Sequence, residues 1–296
     1  MQNTLIIEKS EDYELLDSGD GEKLERYGSV VLSRPDPQVL WLKSKPEIWQ
    51  SADAVYVRTG TTGKWEIADS SKNIVSREQT WNVNLAGLTF SLKLQASKHL
   101  GVFPEQSSQW SWLEEKIKTC QPARLTSVRV LNLFGYTGGA SLACAKAGAE
   151  VCHVDSSQFA VDTAIKNRDL SGLTEKHIRF IVDDVRKFIE REIKRGNKYD
   201  IVLLDPPVYG KGNKDEVWKI EEDLMPLLKR IKSILTPEPL AIVLNGYASI
   251  YSHITYAQML GTITSDLNGK VSSGELVIKD SFNRLLSCGI FARFER

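Results

Sequence analysis

Long apolar runs are missing from this chain. Nowhere do about 18 hydrophobic residues follow one another, the length a helix needs to cross a bilayer, so a membrane-spanning helix is excluded. An excess of either charge is missing too. Lys plus Arg and Asp plus Glu number 38 each, so net charge offers no general attraction to a polyanion or an anionic membrane, although a local basic patch stays open. Cysteine is scarce: Cys120, Cys144, Cys152 and Cys288 form no C-x-x-C pair and have no histidine at zinc-ligand spacing. That argues against a metal site and for free thiols in a reducing cytoplasm. Residues Met1 to Lys9 lack the basic-then-apolar pattern of a secretory leader, so export is not expected. The glycine fingerprint G-x-G-x-x-G is also absent, which counts against a nicotinamide-dependent oxidoreductase.

What is present suits a protein able to bury a real core, with a hydrophobic fraction of 42% and a charged fraction of 26%. At 296 residues the chain exceeds the usual single domain, so a large unit with a smaller companion is expected. Up to about residue 95 the text reads as short strands punctuated by Gly, Ser, Asp and Pro, a β-rich N-terminal domain over 1–95. The bend at Gly87 falls within a single run, Trp81 to Leu94. Trp41, Trp49, Trp65 and Trp81 read as its core, with stacking platforms for RNA as the alternative. Residues 96–127 hold a helix from Ser107 to Lys118 and a linker through Gln121-Pro122-Ala123.

From residue 128 to 296 strands and helices alternate. Val128–Phe134, Val151–Val154, Ile178–Val182, Ile201–Leu204 and Leu240–Leu244 read as strands. Ala140–Ala147, Phe159–Leu170, Val185–Arg195, Glu216–Ile234 and Thr255–Leu267 read as helices. This implies a doubly wound α/β sheet with right-handed crossovers. The last two runs, Glu275–Lys279 and Leu285–Phe294, have no helix between them and read as an antiparallel pair at one end.

In such a sheet a ligand binds beyond the carboxyl ends of the strands, near the switch point after the first strand. The loop there is Phe134-Gly135-Tyr136-Thr137-Gly138-Gly139, whose glycines allow close backbone approach and whose following helix supplies unpaired N–H groups. A glycine-bearing turn alone proves little. Asp155 strengthens the reading, because a carboxylate ending the second strand suits both hydroxyls of a ribose. Asp183 and Asp184 follow the third strand; either can reach an adenine amine, and either can cap the helix from Val185. Asp184 is the choice for the adenine and Asp183 for a structural or ribose-side role.

After the fourth strand comes Asp205-Pro206-Pro207-Val208-Tyr209-Gly210-Lys211-Gly212. The prolines stiffen the loop and remove two donors, leaving carbonyls free to accept. A carboxylate beside such a carbonyl can bind an amine or ring N–H, and Tyr209 offers a stacking face. The alternative is a rigid turn.

Residues 128 to 212 resemble class I S-adenosylmethionine (SAM)-dependent methyltransferases, in particular the bacterial large-subunit (23S) rRNA cytosine-C5 and guanine-N7 methyltransferases. The matching text is Leu131 to Gly138, Val154-Asp155, Asp184 and Leu204 to Tyr209, with likeness extending over about 85–294. His99 to Gln106 is similar to the family's segment that closes over the methionine end of the cofactor. The resemblance implies a Rossmann-like, seven-stranded methyltransferase sheet behind a small N-terminal β-rich domain. It assigns cofactor contacts to Phe103, Gln106, Asn132, Phe134, Tyr136, Thr137, Gly138, Asp155, Ser156, Asp183, Asp184 and Asp205. The catalytic set it implies is Asp205, Pro206, Pro207 and Tyr209. The mechanism expected from these residues has Asn245 or Tyr247 complete the pocket wall and Lys211, Lys214 and Lys219 contact phosphates, with simple solvation of the lysines as the alternative.

Two departures stand out. Cytosine-C5 enzymes carry a nucleophilic cysteine in the loop after the fifth strand, where this chain reads Val243-Leu-Asn-Gly-Tyr-Ala-Ser249. Carbon methylation needs that covalent adduct, so a base nitrogen in ribosomal RNA is the expected acceptor. A protein or small-molecule acceptor, C5 chemistry and a non-catalytic RNA-binding module are the alternatives. The second departure is the first ~90 residues, which match no RNA-binding module of the relatives.

Overall fold

The computed structural model describes residues 2–60, 62–72, 74–120, 126–212, 216–247 and 251–296. It divides into two units: Met1–Leu5, Ser108–Leu276 and Gly289–Arg296 form one, Ile6–Ser107 and Val277–Cys288 the other.

In the smaller unit, β2 (Tyr13–Gly19), β3 (Glu22–Tyr27), β4 (Val30–Pro35), β5 (Ala54–Thr59) and β6 (Thr62–Ile67) lie in that order in one sheet, antiparallel except for the β4–β5 pair. Alternation buries Tyr13, Leu15, Leu24 and Leu32 together. The run from Trp81 proves to be a hairpin, β7 (Trp81–Leu85) and β8 (Leu88–Leu92), because Ala86 (φ 51°) and Gly87 (φ 70°) both adopt the left-handed conformation of a tight turn. Trp65 joins the core at 4% exposure. Trp41, Trp49 and Trp81 are instead half-buried, their indole N–H groups donating to Ser18 O, Asp17 Oδ2 and Tyr27 O. Burial would neutralise the interior carboxyl of Glu25, but Arg34 and Lys23 beside it hold it below its ordinary pKa.

The larger unit is a three-layer α/β sandwich. The strands of its sheet are β1 (Gln2–Ile7), β9 (Arg129–Leu133), β10 (Glu150–Asp155), β11 (Ile178–Val182), β12 (Ile201–Leu204), β15 (Ala241–Tyr247), β16 (Lys270–Lys279) and β17 (Leu285–Glu295), of which β1, β16 and β17 have one end counted in the smaller unit. They form one sheet in the order β1-β16-β17-β15-β12-β9-β10-β11. Strands β15, β12, β9, β10 and β11 are parallel, and β17 runs antiparallel to β15. The seven expected strands are all present, with β1 as an eighth at the edge. Neighbours β9 and β12 are far apart in sequence, so the switch point lies between them.

Side chains alternate between two cores. Leu131, Leu133, Val202, Leu204, Ile242 and Leu244 face α4 (Val185–Arg195), α5 (Ile220–Lys232) and α6 (His253–Thr264). Val130, Val151, Ile201, Leu203 and Val243 face α1 (Ser107–Cys120) and α2 (Gly139–Lys146). Helix α3 (Gln158–Leu170) joins β10 to β11 and is capped by Ser157. The helix expected from Glu216 begins four residues later. Val217–Lys219 forms β14 instead, paired antiparallel with β13 (Tyr209–Lys211), so the loop after β12 ends in a short hairpin. The linker Gln121-Pro122-Ala123, Lys214, Ala248 and Ser249 lie outside the described residues.

Candidate active site

The register aligns the strand ends. Leu133 pairs with Val154 and with Leu204, Leu204 with Leu244, and Asp155 with Val182. Phe134, Asp155, Asp183, Asp205 and Asn245 therefore stand in one row along the carboxyl edge of the sheet, at or just past the last pairs.

The loop after β9 departs from ordinary backbone geometry. Phe134 (φ 56°) and Tyr136 (φ 49°) are left-handed non-glycine residues, and Gly138 (φ 95°) heads α2. Such conformations cost of the order of 1–3 kcal/mol each and persist only where the surroundings impose them. Here the surroundings do: Gly135 N donates to Val154 O at 3.0 Å and Gly138 N to Gly135 O at 3.0 Å. Two glycines are required by packing, since a Cβ on Gly135 would lie 2.4 Å from the His153 ring and one on Gly139 2.3 Å from the Trp110 ring. Asn132 and Thr137 are buried. Asn132 Nδ2 donates to Ser141 Oγ, which contacts His153 Nδ1, and the Thr137 carbonyl accepts from Asn167, so these side chains and carbonyls brace the loop from below.

Burial lowers the His153 pKa to about 4, so the ring under the loop is neutral at neutral pH. A base whose folded pKa lies below its unfolded value contributes stability above the unfolded pKa and loses it on acidification. Stability should fall between roughly pH 6.5 and pH 4 by on the order of 3 kcal/mol. Denaturant midpoints across that range check this, and His153→Gln should flatten the slope; an equally steep slope in the variant rejects the assignment.

Asp155, at the end of β10, holds the neighbouring backbone and keeps acceptor capacity. Its Oδ2 accepts from Tyr136 N at 2.8 Å and its Oδ1 from Ser157 N at 2.9 Å, while a carboxylate has room for about four donors. Burial raises its pKa above the ordinary value, partly offset by the backbone N–H groups of Ser157, Tyr136 and Ser156. The two next acids divide their work. Asp184 caps α4, accepting from the backbone of Arg186 and Lys187, and its carboxylate also takes the Arg186 guanidinium at 3.0 Å. Asp183 N donates to Asp155 O at 3.0 Å, and its carboxylate pairs with Arg191. Capping thus falls to Asp184, the acid chosen for the adenine.

The loop after β12 is anchored by Trp218, a residue within the stretch of family likeness. Trp218 Nε1 donates to Pro207 O at 2.7 Å, and its ring meets Phe134 edge-on with centroids 4.9 Å apart. Trp218 therefore ties the loop after β9 to the loop after β12, and it takes up the Pro207 carbonyl expected to be free. Pro206 is buried, Pro207 exposed, and Tyr209 is 54% exposed, open as a stacking face. Tyr256 on α6 was missed because it lies 51 positions from Asp205. Its hydroxyl abuts Gly246, and burial together with the nearby Asp205 carboxylate raises its pKa.

Gln106 closes the 3-10 turn Pro104–Gln106 in the smaller unit, and the Phe103 ring meets His99 at 5.3 Å there. Cys144, Cys152 and Cys288 are buried with thiols pushed up by burial, and Cys120 lies at the end of α1. None is on the loop after β15.

A doubly wound sheet with a strained glycine loop, an acid at the second strand end and a proline-stiffened acidic loop at the fourth defines a class I methyltransferase. The S-adenosylmethionine-dependent methyltransferase family model matches residues 57–251, and the chain belongs to that family. It is similar to the crystal structure of the SAM-dependent methyltransferase from Agrobacterium tumefaciens, 39% identical with a TM-score of 0.91, over 99% of this chain and 93% of that one. The fold is shared with SMU.776, solved in complex with SAH, at 17% identity and TM-score 0.71, over 96% of this chain and 76% of that one. Among curated proteins it is 39% identical over 102 residues to ribosomal RNA large subunit methyltransferase I of Aeromonas salmonicida, 34% of this chain and 26% of that protein. The chain thus spans about a quarter of the length of that relative. Among the described residues, no helix is long and apolar enough to cross a membrane.

Proposed function

We propose that the protein transfers the methyl group of SAM to a nitrogen of an RNA base, a purine in ribosomal RNA, in a reducing cytoplasm. The observation that carries the reading is the Asp205-Pro-Pro-Val-Tyr209 loop, with its carboxylate level with Asn245, its aromatic exposed, and no cysteine in Val243 to Ser249. The curated relatives named for ribosomal RNA support the RNA part.

Phe134, Tyr136, Thr137 and Gly138 would hold the amino acid moiety of the cofactor, Asp155 and Ser156 its ribose, and Asp183 or Asp184 its adenine. Bound SAM supplies an already activated methyl group. The protein's task is then alignment. Asp205 and the Pro206 carbonyl orient the acceptor nitrogen, and Tyr209 stacks on the base. On α3 and α4, Arg168, Arg186, Lys187, Arg191 and Arg195 are in ion pairs with acids. Phosphate contact therefore falls more to Lys211 on the exposed hairpin.

Asp155→Ala should weaken SAM binding by roughly 1.5–3 kcal/mol, the scale of lost hydrogen bonds to a charged group. Calorimetry measures it, and an unchanged Kd would remove Asp155 from the site. Changing each cysteine to Ser should leave turnover intact apart from losses that track stability; a covalent adduct with 5-fluorocytosine RNA would show cysteine chemistry instead. Labelled SAM incubated with RNA from cells lacking the gene, followed by nucleoside mass spectrometry, identifies the product. Label in protein or small metabolites, with none in RNA, would sink the reading.

A further inference from the structure

We propose that Arg293 and Gln109 set the hydrogen-bond polarity of the acceptor pocket by locking the Asn245 amide with its NH2 turned toward the methyl-accepting base. The inference rests on reading the Asp205 end of the sheet as the acceptor site. Arg293 and Gln109 are positioning residues in this scheme, and Asn245 is the group that touches the base.

Arg293 on β17 is 7% exposed, and its guanidinium lies 4.2 Å from the Trp112 ring centroid and 4.9 Å from that of Phe291. Among the described residues no carboxylate forms an ion pair with it. Burial lowers its pKa to about 10, so it stays a cation at neutral pH. The nearby Glu295 carboxylate favours the charge without touching it, and a buried cation that no carboxylate contacts is costly unless its hydrogen bonds are well met. They are met by one neutral group: Gln109 Oε1 accepts from Arg293 Nε at 2.6 Å and from Nη2.

The chemistry of that contact propagates. A guanidinium only donates, so the Gln109 oxygen must face it and the Gln109 NH2 must face away. Gln109 Nε2 then donates to Asn245 Oδ1 at 3.0 Å. The Asn245 oxygen is thereby committed, and its NH2 is directed away from Gln109. Amide orientations are ordinarily ambiguous, but a donor-only head at one end of the chain fixes both. Asn245 follows Leu244, the register partner of Leu204, and so stands level with Asp205. The wall combines an acceptor, the Asp205 carboxylate, with a donor, the Asn245 NH2. It suits a base edge bearing a donor and an acceptor side by side. With the amide reversed the wall would hold two acceptors and repel that edge.

Gln109→Glu tests this, because a carboxylate still accepts from Arg293 and loses only the donor to Asn245. The variant should melt no lower than wild type and bind SAH within about twofold, yet transfer methyl groups to RNA from cells lacking the gene at least about tenfold more slowly. Arg293→Met should also lose transfer, and Arg293→Lys, with a donor-only head, should recover part of it. A second readout needs no RNA: the Asn245 side-chain 15N–1H pair should shift downfield in Gln109→Glu as the NH2 turns onto the new carboxylate. Wild-type transfer by Gln109→Glu, or an unmoved Asn245 amide, overturns the proposal. Undiminished transfer by Asp205→Ala would instead overturn the acceptor-site reading, with the amide shift still reporting the relay.

Discussion

Asp205→Ala is expected to slow methyl transfer by roughly 10²–10³-fold, about 3–4 kcal/mol, the scale of losing one aligning group in a preorganised site. The Kd for SAM should stay near the wild-type value. The split follows from where Asp205 stands. It continues β12 past Leu204, level with Asn245 on one side and Phe134 on the other, whereas the ribose contact is assigned to Asp155 one strand beyond, on β10. An interaction made mainly in the transition state changes kcat without changing ground-state cofactor affinity. Asp205→Asn separates charge from shape: it keeps an acceptor oxygen and should retain more transfer than the alanine variant. Single-turnover assays with saturating labelled SAM measure the rate and calorimetry the affinity. Equal losses in both would make Asp205 a cofactor ligand alone.

The order of elements in the larger unit was legible because strands buried on both faces leave continuous apolar runs, and glycine or an acid marks where each ends. Val128 to Phe134, the loop to Gly138 and Asp155 could therefore be placed by pattern alone. The hairpin after Pro207 could not. Val217-Trp218-Lys219 carries no signal separating it from the helix that follows, and its strand pairing with Tyr209–Lys211 is a tertiary choice. Ala86 escaped notice for a related reason: an alanine with positive φ contradicts its local preference, and only the hairpin imposes it. Of the two acids after β11, sequence leaves the cap undecided, because Asp183 and Asp184 are one position apart and only backbone direction separates them. Gln109, Asn245 and Arg293 were beyond reach as a group, since 136 and 184 positions separate Gln109 from its two partners.

Trp218→Ala is expected to cost roughly 3–5 kcal/mol of folding stability, the range for removing a large aromatic from a packed interior. Trp218 is 5% exposed and packs in the core shared by α4, α5 and α6. Its removal also releases two loops at once, Phe134 through the ring contact and Pro207 through the indole N–H. Trp218→Phe separates these effects. A phenyl ring keeps much of the packing against Phe134 but cannot donate to the Pro207 carbonyl, which should cost only about 1 kcal/mol of stability. If the hydrogen bond holds the Asp205 loop in its working position, this milder variant should still lose roughly tenfold or more in transfer rate while binding SAM normally, since small misplacements are costly in rate. Urea denaturation and single-turnover transfer on the same preparations give both numbers. A Trp218→Phe protein that transfers at the wild-type rate would confine Trp218 to packing.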